Sequence, residues 1–129
     1  MAEMLLDSTL FQDYRRGVPG ARAIVERILD GDTTASVAPL TVFELWSDAA
    51  FDRRTEIAFA GLLSFLEQAP LSSEAAKVAG IWIGSLDEDE RDPLARYALI
   101  AATARERGEP VCTSDPEPYS RFYSELVDY

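Results

Sequence analysis

The chain contains no histidine, a single cysteine (Cys112) and a single lysine (Lys77). The lack of histidine excludes Ser-His-Asp and Cys-His catalysis, zinc sites built on imidazole, and histidine general bases. One cysteine cannot form an intramolecular disulfide, and its place in an apolar run predicts a small packed side chain. Any chemistry must therefore be carried by carboxylates.

Long apolar runs and basic side chains are also scarce. No run approaches the roughly 20 residues needed to span a bilayer, and the N-terminus lacks the basic and apolar pattern of a signal peptide, so we expect no membrane association and a cytoplasmic location. The chain has twelve basic and 23 acidic residues, which gives a net charge of −11. An acidic surface repels phosphate backbones, so any nucleic-acid chemistry would need a metal ion as intermediary.

The length of 129 residues, 47% of them apolar, predicts one domain over residues 1–129. Apolar or β-branched runs predict strands, and apolar residues spaced by three and four predict helices. The predicted strands lie at 4–6, 33–38, 110–113 and 126–129, and the predicted helices at 10–16, 21–29, 40–51, 59–66, 75–86 and 94–107. The acidic run Asp87 to Asp92 predicts a solvated loop. Helix 94–107 is expected at the centre, because its middle, ALIAATA, is small and apolar almost all round. Alternating strands and helices indicate a mostly parallel α/β sheet covered on both faces.

Three acids are expected at one edge of this sheet. Asp7 and Asp115 each follow a strand, and Glu44 lies near the start of the helix after the second strand. Carboxyl ends of parallel strands share an edge, and converging carboxylates suit Mg²⁺ or Mn²⁺. The alternative interpretation is that Asp7 only caps a helix, Glu44 lies on a solvated helix face and Asp115 forms a turn with Pro116.

Four segments resemble the PIN-domain family, and most of all the VapC type of toxin ribonuclease. They are MLLDSTLFQDY, SVAPLTVFELW, YALIAATARERGEPVCTSDPEPYSRF and LVDY, which in this order cover essentially the whole chain. The resemblance implies a three-layer α/β/α domain that cleaves RNA with Mg²⁺ or Mn²⁺. It also implies a homodimer and a small VapB-like antitoxin as partner.

The resemblance assigns roles to single residues. Asp7 matches the first family acid, Glu44 the second and Asp115 the fourth, while Thr113 matches the hydroxyl residue before the last acid. This implies that Asp7 and Asp115 hold the metal and that Glu44 helps to orient a metal-bound water.

The third family acid has no counterpart, because Tyr97 stands at its position. Tyrosine is neutral near pH 7, with a pKa of about 10, and is a poor substitute for a carboxylate. Asp92, five residues earlier and about 7.5 Å lower along a helix, is the alternative carboxylate.

Two hypotheses remain open from the sequence. The first is a VapC-like metal-dependent endoribonuclease, weakened or inactivated by Tyr97, and the alternative is a degenerate, non-catalytic PIN domain that binds partners or dimerises. Both hypotheses expect an arginine-bearing antitoxin segment at the acidic edge, beside exposed aromatic residues such as Trp46, Tyr119 and Phe122. A homodimer is expected as well, because the helices at 55–86 carry more apolar surface than one small sheet covers.

Overall fold

The structure is a computed structural model that describes residues 2–48 and 50–129. Strands and helices alternate along most of the chain. In order they are β1 (Met4–Leu6), α1 (Ser8–Arg15), α2 (Pro19–Leu29), β2 (Ala35–Val37), α3 (Pro39–Trp46), α4 (Arg53–Leu63), β3 (Glu67–Gln68), α5 (Ser73–Gly84), α6 (Glu88–Arg107), β4 (Val111–Cys112), α7 (Glu117–Ser120) and β5 (Leu126–Val127).

The strands form one parallel sheet in the order β3-β2-β1-β4-β5. The central strand β1 pairs Leu5 with Ser36 of β2 on one side and with Val111 of β4 on the other. Its alternating side chains serve two apolar clusters, since Leu6 packs in one and Leu5 in the other. Helices therefore cover both faces of the sheet, which confirms the predicted three-layer α/β/α class.

Local sequence signals explain where the helices begin and end. Asp7, Asp52 and Ser72 each accept a backbone hydrogen bond at the N-terminus of a helix, the usual role of such residues. Gly108 ends α6 in the left-handed conformation, with a φ of 69°, which glycine adopts without strain. Cys112 is buried in β4, as predicted, and burial raises the pKa of its thiol to about 12.

One prediction about secondary structure was wrong, and one strand was missed. The run Asp87 to Asp92 is no loop, because α6 begins at Glu88. Acids in the first turn of a helix complement the positive end of its dipole, and this favours a helical start there despite the backbone hydrogen bond that Pro93 removes. The edge strand β3 was not predicted, since two exposed polar residues carry no strand pattern.

The predicted helix 40–51 ends earlier than expected, at Trp46. Ala49, which that prediction included, lies outside the described residues. Within the ranges 2–48 and 50–129, no helix is long and apolar enough to cross a membrane.

Candidate functional site

Asp7 lies where β1 ends, and it is almost fully buried, with 1% of its surface exposed. Its side chain caps α1, because Oδ1 accepts hydrogen bonds from the backbone N–H and the hydroxyl of Thr9, at 2.9 and 2.5 Å. On the other side, Oδ2 accepts a hydrogen bond of 3.0 Å from the hydroxyl of Tyr119. The predicted position of Asp7 at a strand end is therefore confirmed, and Asp7 also makes the helix cap that the alternative interpretation expected.

The pKa of Asp7 is raised above its ordinary value. Burial is the main cause, and hydrogen bonds from Thr9, Thr113 and Tyr119 oppose it without cancelling it. A carboxyl group that is buried at a sheet edge, despite the free-energy cost of desolvating its charged form, is typical of functional positions.

Glu44 forms a two-point ion pair with Arg96. Nη2 of Arg96 donates to Oε1 of Glu44 at 2.7 Å, and Nε donates to Oε2. Nη2 also lies 3.3 Å from the hydroxyl of Ser8, which begins α1 beside Asp7. Burial alone would lower the pKa of Arg96, but the hydrogen bonds and charge of Glu44 outweigh burial and hold that pKa above its ordinary value. Arg96 therefore neutralises the second predicted acid.

Tyr97 joins the two halves of this edge. The guanidinium carbon of Arg96 lies 4.4 Å from the centre of the Tyr97 ring, a cation–π contact. The same ring meets Tyr119 edge to face, with ring centres 5.0 Å apart. A continuous series of contacts thus runs from Glu44 through Arg96, Tyr97 and Tyr119 to Asp7.

Thr113 and Asp115 occupy the loop after β4. The hydroxyl of Thr113 is buried, lies 3.3 Å from the hydroxyl of Thr9 and accepts a hydrogen bond of 3.0 Å from the backbone N–H of Asp115. The side chain of Asp115 is exposed. The structure therefore brings Thr113 next to Asp7, while Asp115 lies at the exposed rim of the same edge.

One residue of this edge was wrongly assigned from the sequence, and another was missed. Tyr119 was expected to be exposed, which was wrong, because it is fully buried against Asp7. Arg96 gave no signal, since its contact with Glu44 joins residues 52 apart in the chain. Asp92 lies exposed in α6, one and a half turns before Tyr97.

The side chains as arranged do not fit a divalent metal ion. Asp7 already accepts three hydrogen bonds, and both oxygens of Glu44 face Arg96. In the part of the chain that the structure describes, no group of three or more histidine, cysteine, aspartate or glutamate side chains could hold a metal ion. The assignment of Asp7 and Asp115 as metal ligands, and of Glu44 as a third catalytic residue, stays a prediction.

Comparison with known proteins places the fold. No family model matches the chain, and no curated protein matches it. Among solved structures, a toxin–antitoxin complex from Klebsiella pneumoniae aligns with a TM-score of 0.72 at 17% identity, over 96% of this chain and 95% of that one. VapBC2 from Rickettsia felis, bound to a DNA fragment from its promoter, aligns with a TM-score of 0.71 at 16% identity, over 98% and 96% of the two chains. DNA-bound VapBC from Salmonella typhimurium gives 0.71 at 19% identity, over 100% and 98%.

This chain has the PIN-domain fold of VapC toxins. The match extends over nearly the whole length of both chains, so the resemblance read from the four sequence segments is confirmed at the level of the fold. At identities of 16 to 19% the likeness concerns the fold alone. What the PIN-fold edge does chemically depends on the residues that this chain carries there.

Proposed function

We propose that the chain is a VapC-like component of a toxin–antitoxin pair in which metal-dependent RNA cleavage is weakened or lost. The observation that carries this proposal is the ion pair of Glu44 with Arg96, stacked on Tyr97. This ion pair engages the Glu44 carboxylate at the edge where the resemblance implies metal chemistry. The neutral ring of Tyr97 occupies the position where the family has a further acid. Asp7, Thr113 and Asp115, which the family pattern also uses, are kept.

The second candidate is a PIN-fold protein that binds partners and has no catalytic activity. The same contacts favour it, because every carboxylate oxygen of Asp7 and Glu44 already accepts at least one hydrogen bond. The two candidates differ in whether RNA is cut at all.

A labelled-RNA cleavage assay over a Mn²⁺ titration separates them. Slow cleavage that EDTA stops and Asp7→Asn abolishes would support a weakened ribonuclease acting on RNA with Mg²⁺ or Mn²⁺. Absence of cleavage at saturating Mn²⁺ would support the non-catalytic candidate. Rapid EDTA-sensitive cleavage by the unchanged chain would contradict the proposed weakening.

The proposed partner is a VapB-like antitoxin. Two of the aligned structures are VapBC complexes by name, and a partner segment bearing arginine suits the strongly acidic chain through charge-assisted hydrogen bonds. Glu44 already holds Arg96, so exposed acids such as Asp92 and Asp115 are the available contacts. Calorimetry with an arginine-containing segment, and with the same segment carrying glutamine instead, tests this. Equal binding by both would contradict it.

We also propose that the chain forms a homodimer. Large apolar side chains on α4 and α5 are exposed, with Ile57 60% and Ile81 73% accessible. Light scattering at micromolar concentration should give twice the chain mass of 14.3 kDa. Ile81→Glu should shift the mass toward the monomer if α5 contributes to the interface, and a monomeric mass for the unchanged chain would reject the dimer.

A further inference from the structure

Three arginines surround one cavity away from the acidic edge. The cavity has a volume of about 390 Å³ and lies between the end of α1, the start of α2 and the start of α4. Its lining includes Arg15, Arg22 and Arg54, together with the side chains of Tyr14, Thr55 and Phe59. We call it the arginine pocket. A quarter of the twelve basic residues of a strongly acidic chain thus meet at one concave surface.

Two of these three guanidinium groups have no hydrogen-bond or ion-pair partner among the described residues. Arg15 is held by Asp48 and by the carbonyl oxygen of Ala50, each at 3.4 Å. In the described ranges, Arg22 and Arg54 form neither an ion pair nor a side-chain hydrogen bond. They are therefore free to donate to a ligand.

Two acids near the pocket, Asp48 and Asp52, are engaged by other groups. The pKa of Asp52 is lowered, first by hydrogen bonds from Thr55 and further by the charges of Arg15 and Arg54, so Asp52 lies within range of the pocket. Its carboxylate is engaged in capping α4. Asp48 is paired with Arg15, and in the part of the chain that the structure describes neither Asp48 nor Asp52 forms an ion pair with Arg22 or Arg54.

Neighbouring residues show that the arrangement is particular to the pocket. The chain has two arginine pairs there, Arg15-Arg16 and Arg53-Arg54, and only one member of each pair lines the cavity. The other two arginines form ion pairs close by in the sequence: Arg16 pairs with Asp13, and Arg53 pairs with Glu56.

We propose that the arginine pocket binds a small anion of the phosphate or carboxylate class, held by Arg22 and Arg54 against the aromatic walls of Tyr14 and Phe59. Guanidinium groups suit this role because their planar donors match the oxygens of both anion classes. The pocket is separate from the acidic edge, since Arg15 lies at the opposite end of α1 from Asp7, about 12 Å along the helix axis at 1.5 Å per residue. The proposal does not depend on whether the chain cleaves RNA.

Calorimetry on the full chain, in a buffer without phosphate or carboxylate, tests the proposal with inorganic phosphate, pyrophosphate and citrate as probes. The test variant is Arg22→Ala with Arg54→Ala, and the matched control is Arg16→Ala with Arg53→Ala. Each double variant lowers the net charge of −11 by two, so long-range electrostatics change equally. All four side chains are exposed, and equal melting temperatures would verify that both variants fold.

We expect saturable binding of at least one probe with one site per chain. The affinity should fall about tenfold or more in the test variant, as expected for losing charge-assisted hydrogen bonds, and stay within about twofold in the control. The Nε–H signals of Arg22 and Arg54 should shift in NMR spectra during the titration. Comparing the phosphate probes with citrate identifies the anion class. No saturable binding, or an equal loss in both variants, would overturn the proposal.

Discussion

Nη2 of Arg96 donates a hydrogen bond of 2.7 Å to Oε1 of Glu44, while Nε of the same guanidinium donates to Oε2. Both side chains are about three-quarters buried, with 26% and 23% of their surfaces exposed. Partial burial strengthens such a pair relative to one on the open surface, and the two-point geometry fixes it. Any divalent ion approaching Glu44 must therefore first displace a cation that belongs to the chain.

We expect Arg96→Gln to raise the affinity for Mn²⁺ by about tenfold, which corresponds to the roughly 1.4 kcal/mol that a partly screened charge pair can supply. The reason is that Glu44 loses its resident counter-ion. Free Mn²⁺ can be followed by electron paramagnetic resonance during a titration. Arg91→Gln is the control. It removes the same charge, and within the described residues the Arg91 side chain donates only to the backbone oxygens of Leu86 and Gly84. Equal affinities of the two variants would show that Arg96 does not compete with the metal.

Asp7→Asn should stabilise the protein near neutral pH, because the raised pKa of Asp7 means that burial disfavours its charged form. The folded state therefore binds a proton on the Asp7 carboxylate more tightly than the unfolded state does. The stability contributed by the proton is therefore complete below the unfolded pKa of 3.8 and is lost as the pH rises through the higher folded pKa.

Thermal melts of the unchanged chain and of Asp7→Asn from pH 4 to pH 8 measure this effect. The variant should melt at a higher temperature at pH 8, and the advantage should shrink toward pH 4. Asp52→Ala should show the opposite trend. Hydrogen bonds from Thr55 lower the pKa of Asp52, so the stability that Asp52 contributes is present at neutral pH and is lost on acidification. The variant should therefore melt below the unchanged chain at pH 8, and this difference should shrink toward pH 4. A gap between Asp7→Asn and the unchanged chain that grows on acidification would contradict the assigned direction.

Most of the fold was accessible from local patterns. Leu5 and Leu6 followed by Asp7 mark a buried strand that turns directly into a helix, and the structure has β1 followed at once by α1. The start of α6 was not accessible in this way, because an acidic run has the same composition in a solvated loop as in a helix whose dipole it complements. The strand β3 depends on pairing with β2, which is a tertiary contact without a local signal.

The candidate site was predictable only in part. The place of Asp7 follows from strand and cap signals, which are local. The ion pair of Glu44 with Arg96 depends on how α3 packs beside α6, and the hydrogen bond from Tyr119 to Asp7 spans 112 residues. Contacts of this kind decide whether a carboxylate is available to a ligand, and they exist only once the chain has folded.

Glu109 should be the acid whose loss costs the most stability. It is buried, with 1% exposed, and Oε1 accepts hydrogen bonds from Ser36 at 2.5 Å and from Arg107 at 3.0 Å. Glu109→Ala leaves both donors without this partner, so we expect a loss of about 2 to 4 kcal/mol in the free energy of unfolding. Urea denaturation followed by circular dichroism measures it.

The same arginine offers a control for this prediction. Glu67 also pairs with Arg107, at 3.0 Å, but 47% of its side chain is exposed. Glu67→Ala should cost only about 0 to 1 kcal/mol, as is usual for surface ion pairs. Equal losses for the two variants would show that burial does not determine how much each carboxylate contributes to the free energy of unfolding.

Tyr97 gives the sharpest test of what the acidic edge has lost. Tyr97→Asp would place a carboxylate beside Arg96 and near Tyr119, and it would remove the ring on which the guanidinium stacks. We expect this variant to bind Mn²⁺ more tightly by about 10-fold or more, since losing even an indirect metal partner typically costs about 10 to 100-fold in affinity or activity. Metal-dependent RNA cleavage should appear or rise with it.

The labelled-RNA assay and the Mn²⁺ titration should be run side by side on matched variants. Tyr97→Phe keeps the aromatic contacts with Arg96 and Tyr119 and adds no acid, so it should behave as the unchanged chain does. Asp7→Asn in the Tyr97→Asp background should abolish the gained cleavage if Asp7 is a metal ligand. A Tyr97→Asp variant that melts normally yet gains neither Mn²⁺ affinity nor cleavage would contradict the assignment of position 97 as the missing ligand.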